Sequence, residues 1–179
     1  MKSVLISIQP KWCELIASGK KTVEVRKTKP KLETPFKAYI YCTKGNPKDP
    51  MQRLEVHSKT DWQSVSLCNG KVIGEFVCDR INYVRNYGDC VDMYDCYASC
   101  LSANEIIEYA KDKNGNFVYT YGWHISDLVI YDKPKELSEF HRHDNTYDNA
   151  FGWAFEDRAQ STPIKRPPQS WGYVEEVSL

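Results

Sequence analysis

The chain lacks an excess of charge of either sign. It carries 24 Lys and Arg against 24 Asp and Glu, so its formal net charge is zero and its pI is about 6.9. A protein with this balance has no global positive field that would attract nucleic acid. The balance argues against a strong non-specific nucleic-acid binder, and any binding of RNA or DNA must come from a local cluster of cations.

Long apolar runs are also missing. The apolar part of residues 1–6 is too short for a signal peptide, and no run approaches the length of a membrane span. Apolar residues still make up 41% of the 179 residues, which is enough for a folded core. We therefore expect a single domain over residues 1–179 that makes no membrane contact and lies in the cytoplasm.

Closely paired cysteines are absent, although the chain has seven cysteines. An odd number without a small-domain framework is typical of free thiols in a reducing compartment. A metal site could draw on Cys90, Cys96 and Cys100, with Cys78 or His124 as a fourth ligand, but none is spaced as Cys-x-x-Cys. Buried free thiols are the better account, and we expect neither a metal nor a cofactor.

Local motifs of nucleotide hydrolysis and nucleophilic catalysis are missing too. The sequence has no glycine-rich loop that would cradle phosphates, and no motif indicates a Ser-His-Asp or Cys-His group. His141 and His143 lie in a charged stretch and are expected to be solvated. His124 lies beside Trp123 on a predicted strand, where it could face a cleft.

A helix, a turn and a strand are predicted near the start of the chain. Residues 11–17 predict a short helix, because Pro10 suits its first turn and Gly19 suits its end. The buried stripe of this helix is predicted to consist of Trp12, Leu15 and Ile16. Residues 22–27 alternate between polar and apolar side chains, which predicts a half-buried strand.

The polar face of that strand concentrates groups that can act on a ligand. Two lysines in the turn precede a hydroxyl, a carboxylate and a guanidinium: Lys20, Lys21, Thr22, Glu24 and Arg26. Such a set can bind an anion, and the carboxylate could also move a proton. The alternative, which composition alone favours, is a solvated charged edge that resists aggregation.

These residues resemble a known family. Ser-Ile-Gln-Pro-Lys at 7–11 and Leu-Ile-Ala-Ser-Gly-Lys-Lys-Thr-Val-Glu-Val-Arg at 15–26 are similar to the opening of the ASCH domain family. Its signature is a strand, a helix and a Gly-Lys-Thr-x-Glu-x-Arg turn. The resemblance is dense over residues 3–27 and implies a PUA-like fold, a superfamily in which many members bind RNA.

The remaining patterns agree with an α+β fold, a small, mixed and strongly curved β-barrel with two or more short helices. Five strands are predicted to share one curved sheet closed at one end by the first helix: residues 3–8, 22–27, 36–43, 71–82 and 123–131. Gly74 suggests a bulge or a close backbone approach. Residues 102–105 form a capping box that opens a second helix, and a terminal strand closes the chain.

Two polar stretches interrupt these patterns. Residues 44–69 predict an insertion that is too short for a core of its own. Residues 141–165 predict a long loop.

Two tryptophans are candidates for the wall of a cleft. Trp123 and Trp171 each lie beside a glycine and polar residues. A flat apolar ring beside cations suits a nucleic-acid base and its phosphate. The alternative, slightly favoured for each tryptophan alone, is that both fill the core.

We predict that the protein binds RNA, or a single nucleoside or nucleotide, in a cationic cleft. The residues expected to contact this ligand are Lys20, Lys21, Thr22, Glu24, Arg26, Trp123 and Trp171. A third class, a structural or interaction protein, would use the long loop at residues 141–165 as its contact surface.

The resemblance also implies two enzymatic alternatives, a ribonuclease and an amidohydrolase that removes the acetyl group from N4-acetylcytidine. In the hydrolase pattern a Lys matches Lys21, a Thr takes the place of Glu24, and a later helix supplies a Glu, here Glu105 or Glu108. The change at position 24 removes a hydroxyl nucleophile. General-base activation of water by Glu24 remains open, and Lys21 and Glu24 would then be catalytic.

Overall fold

Among the residues that the structure describes, three α-helices are interspersed with short strands. The computed structural model describes residues 1–45, 55–57, 65–84, 86–87, 90–143 and 162–177. The helices are α1 (Pro10–Ala17), α2 (Met93–Ser99) and α3 (Ala103–Tyr109). The strands are β1 (Lys2–Ile8), β2 (Val23–Arg26), β3 (Phe36–Cys42), β4 (Glu55–His57), β5 (Val65–Leu67), β6 (Val72–Cys78), β7 (Ile81–Val84), β8 (Asn86–Tyr87), β9 (Cys90–Val91), β10 (Thr120–His124), β11 (Ser126–Lys135) and β12 (Trp171–Glu175).

Two sheets carry the fold, which is mixed α+β. The larger has the strand order β11–β6–β3–β1–β12, and the smaller has the order β2–β10–β7. β1 and β3 run parallel, whereas the other pairings within these two sheets are antiparallel. Hairpins β4–β5 and β8–β9 form two further small sheets. Across the described ranges, no strand pairing joins the two main sheets into a closed barrel.

The prediction of one curved sheet is wrong, because the chain changes sheets at Ile125. β10 pairs with β2 and β7 in the smaller sheet, whereas β11 pairs with β6 in the larger one. The Ile125 N–H donates to the Thr22 carbonyl at 2.9 Å, and Asp127 adopts a φ of +46°. The predicted strand at 71–82 is divided in the same way, since β6 ends at Cys78 and β7 begins at Ile81 in the smaller sheet.

Three apolar clusters lie against the faces of these sheets. The first joins side chains of the larger sheet to α1 and to Trp123, and includes Cys13 and Ile16. The second covers the opposite face of the larger sheet, around Leu5, Tyr39 and Phe140. The third packs β2 and β7 against α2 and α3 through Val23, Val25, Val84, Ala98 and Ile106. The valines of β2 therefore point toward α2 and α3, as the alternation predicts, and its polar side chains point the other way.

Several local predictions are confirmed. α1 begins at Pro10, and Gly19 follows its end with a φ of +73°. Ser102 caps α3 in a reciprocal capping box with Glu105. At Gly74, a Cβ atom would lie 2.3 Å from the Val129 carbonyl oxygen, so the backbone of β11 approaches β6 closely there.

The two polar stretches fall largely outside the described residues. Of the predicted insertion at 44–69, the structure describes β4, β5 and a few flanking residues, and of the predicted loop at 141–165 it describes only the two ends. Within the described ranges, no helix combines the length and apolarity that crossing a bilayer requires.

Candidate functional site

A cleft of about 460 Å³ opens where α1, β2 and α3 meet. Its lining includes Trp12 from α1, Lys21 from the turn, Glu24 and Arg26 from β2, and Glu105 and Tyr109 from α3. This volume lies within the range of about 300–1,000 Å³ that is usual for small-molecule sites. The predicted polar face of β2 therefore faces a cavity rather than open solvent.

The Glu24 carboxylate lies between two cations. Its Oε2 is 3.3 Å from Lys21 Nζ, and its Oε1 is 3.0 Å from a terminal nitrogen of Arg26. Lys21 is only 2% exposed and Glu24 is only 6% exposed. The alternative of a solvated charged edge is therefore wrong for these two residues, because ions are buried this deeply only when they are paired.

Lys21 is held by groups from two helices. Its ammonium donates to the Ser99 carbonyl oxygen at 2.7 Å, at the last residue of α2. Its Nζ also lies 5.2 Å from the centre of the Trp12 ring, within the range of a cation–π contact. These contacts hold the Lys21 ammonium beside Glu24 and restrict its movement toward a ligand in the cleft.

Arg26 connects β2 to the larger sheet. One terminal nitrogen donates to the Ser7 carbonyl oxygen at 2.6 Å, and the other donates to Ser170 Oγ at 3.3 Å. Ser7 Oγ in turn donates to the Pro168 carbonyl oxygen at 2.6 Å. Arg26 therefore holds the segment before β12 against the cleft, in addition to neutralising Glu24.

Two aromatic rings line the cleft, Trp12 and Tyr109. Trp12 is half-buried, and Tyr109 is 39% exposed. Burial raises the pKa of Tyr109 above its usual value, so its hydroxyl stays protonated at neutral pH. The sequence indicated Trp12 only as part of the buried stripe of α1, of which Ile16 is the fully buried member. No pattern in the sequence indicated that Tyr109 would line the cleft.

Trp123 and Trp171 do not line the cleft. Trp123 is fully buried in the core, where its ring meets Phe36 edge-on at 5.8 Å and lies 5.9 Å from the ring of Trp171. Trp171 is half-buried, and its Nε1 donates to Thr28 Oγ1 at 2.9 Å. The expectation that Trp123 forms a cleft wall is wrong, since a ring without exposed surface cannot stack on a ligand.

Lys20 and Thr22 also lie outside the lining of the cleft. Lys20 is exposed in the turn, and its carbonyl oxygen accepts from the Cys100 thiol. Thr22 uses its backbone to join β2 to its neighbours, because its N–H donates to the Ala98 carbonyl oxygen. The structure thus brings together only Lys21, Glu24 and Arg26 of the predicted ligand-binding residues.

Glu105 is the acid on α3 that reaches the cleft. Its Oε2 accepts hydrogen bonds from the backbone N–H and the hydroxyl of Ser102, both at 2.8 Å. These two bonds lower the pKa of Glu105, so the carboxylate stays ionised. Glu108 instead pairs with Lys111 and does not line the cleft.

His124 lies apart from the cleft and pairs with Asp79. Its Nδ1 is 2.6 Å from Asp79 Oδ1. Partial burial raises the pKa of Asp79, but the hydrogen bond and charge of His124 outweigh this effect and lower it. This pair joins the loop after β6 to the end of β10.

The cysteine side chains that the structure describes form no disulfide. Cys13, Cys42, Cys68 and Cys78 are buried, and Cys96 and Cys100 are half-buried. Burial raises the pKa of Cys13 well above its usual value and that of Cys78 to about 12, so both stay protonated. Among the side chains that the structure describes, no group of three or more could hold a metal ion.

Comparison with known proteins places these features in a family. The ASCH domain family matches residues 6–129 of the chain. Among solved structures, ASCH from Zymomonas mobilis is 19% identical, with a TM-score of 0.55 over 97% of this chain and 88% of that one. A Tyr-to-Phe variant of that protein is 20% identical, with a TM-score of 0.56 over 98% of this chain and 92% of the variant.

At this level of identity the solved structures share a fold with the chain, and they carry no argument about its ligand. No curated protein matches the chain. The family match covers most of the chain, including α1, the turn and β2, which supply Trp12, Lys21, Glu24 and Arg26. The chain therefore belongs to the ASCH domain family.

Proposed function

We propose that this protein binds RNA or a nucleotide, with a single base held in the cleft beside Glu24. The observation that carries the proposal is the buried Glu24 carboxylate, fixed by Lys21 and Arg26 in a cleft that Trp12 and Tyr109 line. A PUA-like relationship, which the sequence resemblance implies, would agree with this function, since many members of that superfamily bind RNA.

The charge of the cleft favours a base over a run of phosphates. The lining contains two cations, Lys21 and Arg26, and two carboxylates, Glu24 and Glu105, so its charges balance. A phosphate would be repelled by the two acids, whereas the amino group of a base would donate to a carboxylate oxygen. The cationic cleft expected from the sequence is, in this structure, a charge-balanced one.

The two rings supply the apolar part of such a site. Base–aromatic stacking is worth about 1–3 kcal/mol per base, and it tolerates different bases because each has a π-face. The protonated Tyr109 hydroxyl can also donate a hydrogen bond to a carbonyl oxygen of a base. Stacking on Trp12 or Tyr109 would therefore provide affinity, and Glu24 would provide selectivity.

Hydrolysis of acylated cytidines is the second candidate. The observation that favours it is the Lys21–Glu24 pair, which lies at 3.3 Å on the wall of a cleft. Glu24 would have to take a proton from water, yet each of its oxygens is already paired with a cation. Accepting that proton would weaken two ion pairs, so the geometry supports binding more strongly than catalysis.

Binding and turnover assays separate the two candidates. We expect the protein to bind a short single-stranded RNA without consuming N4-acetylcytidine. Trp12→Ala should weaken RNA affinity about tenfold or more, because it removes one stacking surface. The matched control is Trp171→Ala, which removes an indole that does not line the cleft and should leave RNA affinity within about twofold.

Other results of these binding and turnover assays would contradict the RNA-binding proposal. If the unmodified protein hydrolyses N4-acetylcytidine and folded Glu24→Gln protein does not, the hydrolase is correct and the binder is wrong. If the protein neither binds RNA or nucleosides nor hydrolyses them, both candidates fail. If Trp12→Ala and Trp171→Ala weaken binding equally, the ligand does not occupy this cleft.

A further inference from the structure

A second pocket, of about 360 Å³, lies beside β12. Its polar lining is dominated by Arg142, His143 and Arg166, and its apolar lining includes Pro168 and Tyr173. Within the described part of the chain, no Asp or Glu lines it. This composition contrasts with the cleft around Glu24, whose lining holds two carboxylates as well as two cations.

The backbone around this pocket is firmly held. Arg142 forms a β-bridge with Val174, and its N–H donates to the Thr162 carbonyl oxygen at 3.1 Å. The Ile164 N–H donates to the Phe140 carbonyl oxygen at 2.8 Å. These bonds hold both chain segments that carry the arginines against β12 and its neighbours.

The charged ends of these side chains, in contrast, have no partners within the described residues. Neither Arg142, His143 nor Arg166 makes a side-chain hydrogen bond or ion pair there. Arg142 and Arg166 are exposed and line the same pocket, and among the described residues no carboxylate lines it, so their combined positive field favours an anion there. Guanidinium groups bind phosphate oxygens through paired, charge-assisted hydrogen bonds.

Gly172 of β12 lines the pocket without contributing a side chain. A Cβ atom on Gly172 would lie 3.5 Å from Pro168 Cβ, which is an ordinary contact distance.

One short segment separates this pocket from the cleft. Pro168 lines the pocket, and the next residue, Gln169, lines the cleft. Ser170 follows, and it is tied to the cleft by Arg26 and by the Ser7 N–H, which donates to its carbonyl oxygen at 2.9 Å. The chain segment at residues 168–170 therefore lies between the two cavities.

We propose that the pocket formed by Arg142, His143 and Arg166 binds a phosphate of the same RNA strand that places a base in the cleft. This assignment rests on the proposed function and extends it from a nucleoside to a single-stranded polynucleotide. The cleft selects the base, and the pocket supplies the phosphate contacts that its balanced charges cannot make.

The test is the salt dependence of RNA binding by the double variant Arg142→Gln/Arg166→Gln. For a single strand, each phosphate that a protein no longer neutralises should reduce the slope of log K against log salt by about 0.7. We expect the double variant to bind a short single-stranded RNA at least tenfold more weakly, with a slope smaller by about 0.7, because the pocket holds one phosphate. Its affinity for a free nucleoside should equal that of the parent.

The matched control is Lys133→Gln, which removes an exposed cation from β11 at the opposite edge of the larger sheet. Its slope should equal that of the parent.

If the parent binds RNA and the double variant keeps the parental slope, or if the slope of the control falls as much, this inference is wrong while the proposed function stands. If the parent binds neither RNA nor nucleoside, both are wrong. If the double variant loses binding of inorganic phosphate but keeps the RNA slope, the pocket is a free-phosphate site and the RNA assignment is overturned.

Discussion

Trp123 lies directly opposite Glu24 across the ladder between β10 and β2. Residues opposed in this way share one face of a sheet, with their Cβ atoms about 5 Å apart. Trp123 is fully buried and Glu24 is only 6% exposed, so this part of the ladder is shielded from water. The exclusion of water strengthens the ion pairs that Glu24 makes with Lys21 and Arg26.

Glu24→Gln should therefore destabilise the fold strongly. The variant keeps the shape of the side chain but leaves the buried ammonium of Lys21 and the guanidinium of Arg26 without a counter-charge. We expect the free energy of unfolding, measured by urea denaturation, to fall by about 3 kcal/mol. The control Glu108→Gln breaks an exposed pair with Lys111 and should cost less than about 1 kcal/mol. If the free energy of unfolding fell equally in the two variants, the Glu24 carboxylate would be as accessible to water as that of Glu108, which would contradict its burial.

Gly74→Ala tests the close approach of β11 to β6. The added Cβ would lie 2.3 Å from the Val129 carbonyl oxygen and 3.1 Å from Ile130 Cα, so the backbone of β11 would have to move. We expect the melting temperature to fall by several degrees, since overpacking of this kind costs about 1–3 kcal/mol. Gly172→Ala is the control, because its Cβ would make only ordinary contacts with Pro168. An unchanged melting temperature for Gly74→Ala would contradict the observed strand spacing.

Local patterns predicted the elements that lie close together in the sequence. Pro10, Gly19 and the alternation of β2 were sufficient to place α1, the turn and the polar face that carries Glu24 and Arg26. The capping box at Ser102 likewise located α3, the helix that presents Glu105. Each of these features depends on contacts between residues that are near neighbours along the chain.

The remainder depends on contacts between distant segments, which no local pattern specifies. In the sequence, the glycine beside Trp123 indicated an open cleft. In the structure, Gly122 lies against Val23 instead, because a Cβ atom at residue 122 would be only 2.9 Å from Val23 Cγ1. Trp12 and Tyr109 line one cleft only because α1 and α3 both pack beside β2. The change of sheet at Ile125 likewise depends on its hydrogen bond to Thr22.

Thiol reactivity checks the burial of the cysteines. Cys13, Cys42, Cys68 and Cys78 are buried in the folded protein, and the raised pKa values of Cys13 and Cys78 keep those two thiols protonated. In native protein, a thiol reagent should modify no more than three of the seven cysteines, whereas denatured protein without reductant should show close to seven. Rapid modification of all seven in native protein would contradict the core described here, and stoichiometric zinc by elemental analysis would contradict the expected free thiols.

The Ser102–Glu105 capping box links the stability of α3 to pH. The backbone N–H and the hydroxyl of Ser102 both donate to Glu105, and they lower the pKa of its carboxyl in the folded state. The folded protein therefore binds fewer protons at this group than the unfolded chain does in the acid range. Its stabilising effect is complete above the ordinary glutamate pKa and is lost as the pH falls through the lowered value.

Ser102→Ala should accordingly be most destabilising near neutral pH and progressively less so in acid. At pH 7 we expect the free energy of unfolding to fall by about 1 kcal/mol, the usual cost of removing a serine N-cap. As the pH falls through the lowered pKa of Glu105, protonation also weakens the bond from the Ser102 hydroxyl to the carboxylate in the parent, which the variant lacks at every pH, so the difference between the two proteins should narrow. Ser18→Ala is the matched control, because its exposed hydroxyl donates to the Leu15 carbonyl and contacts no carboxylate; its difference from the parent should not change with pH. Urea denaturation at a series of pH values measures both differences. If the Ser102→Ala difference stayed constant over the acid range, the Ser102 hydroxyl would not contribute to the lowered pKa of Glu105, because the backbone N–H of residue 102 still donates to that carboxylate in the variant.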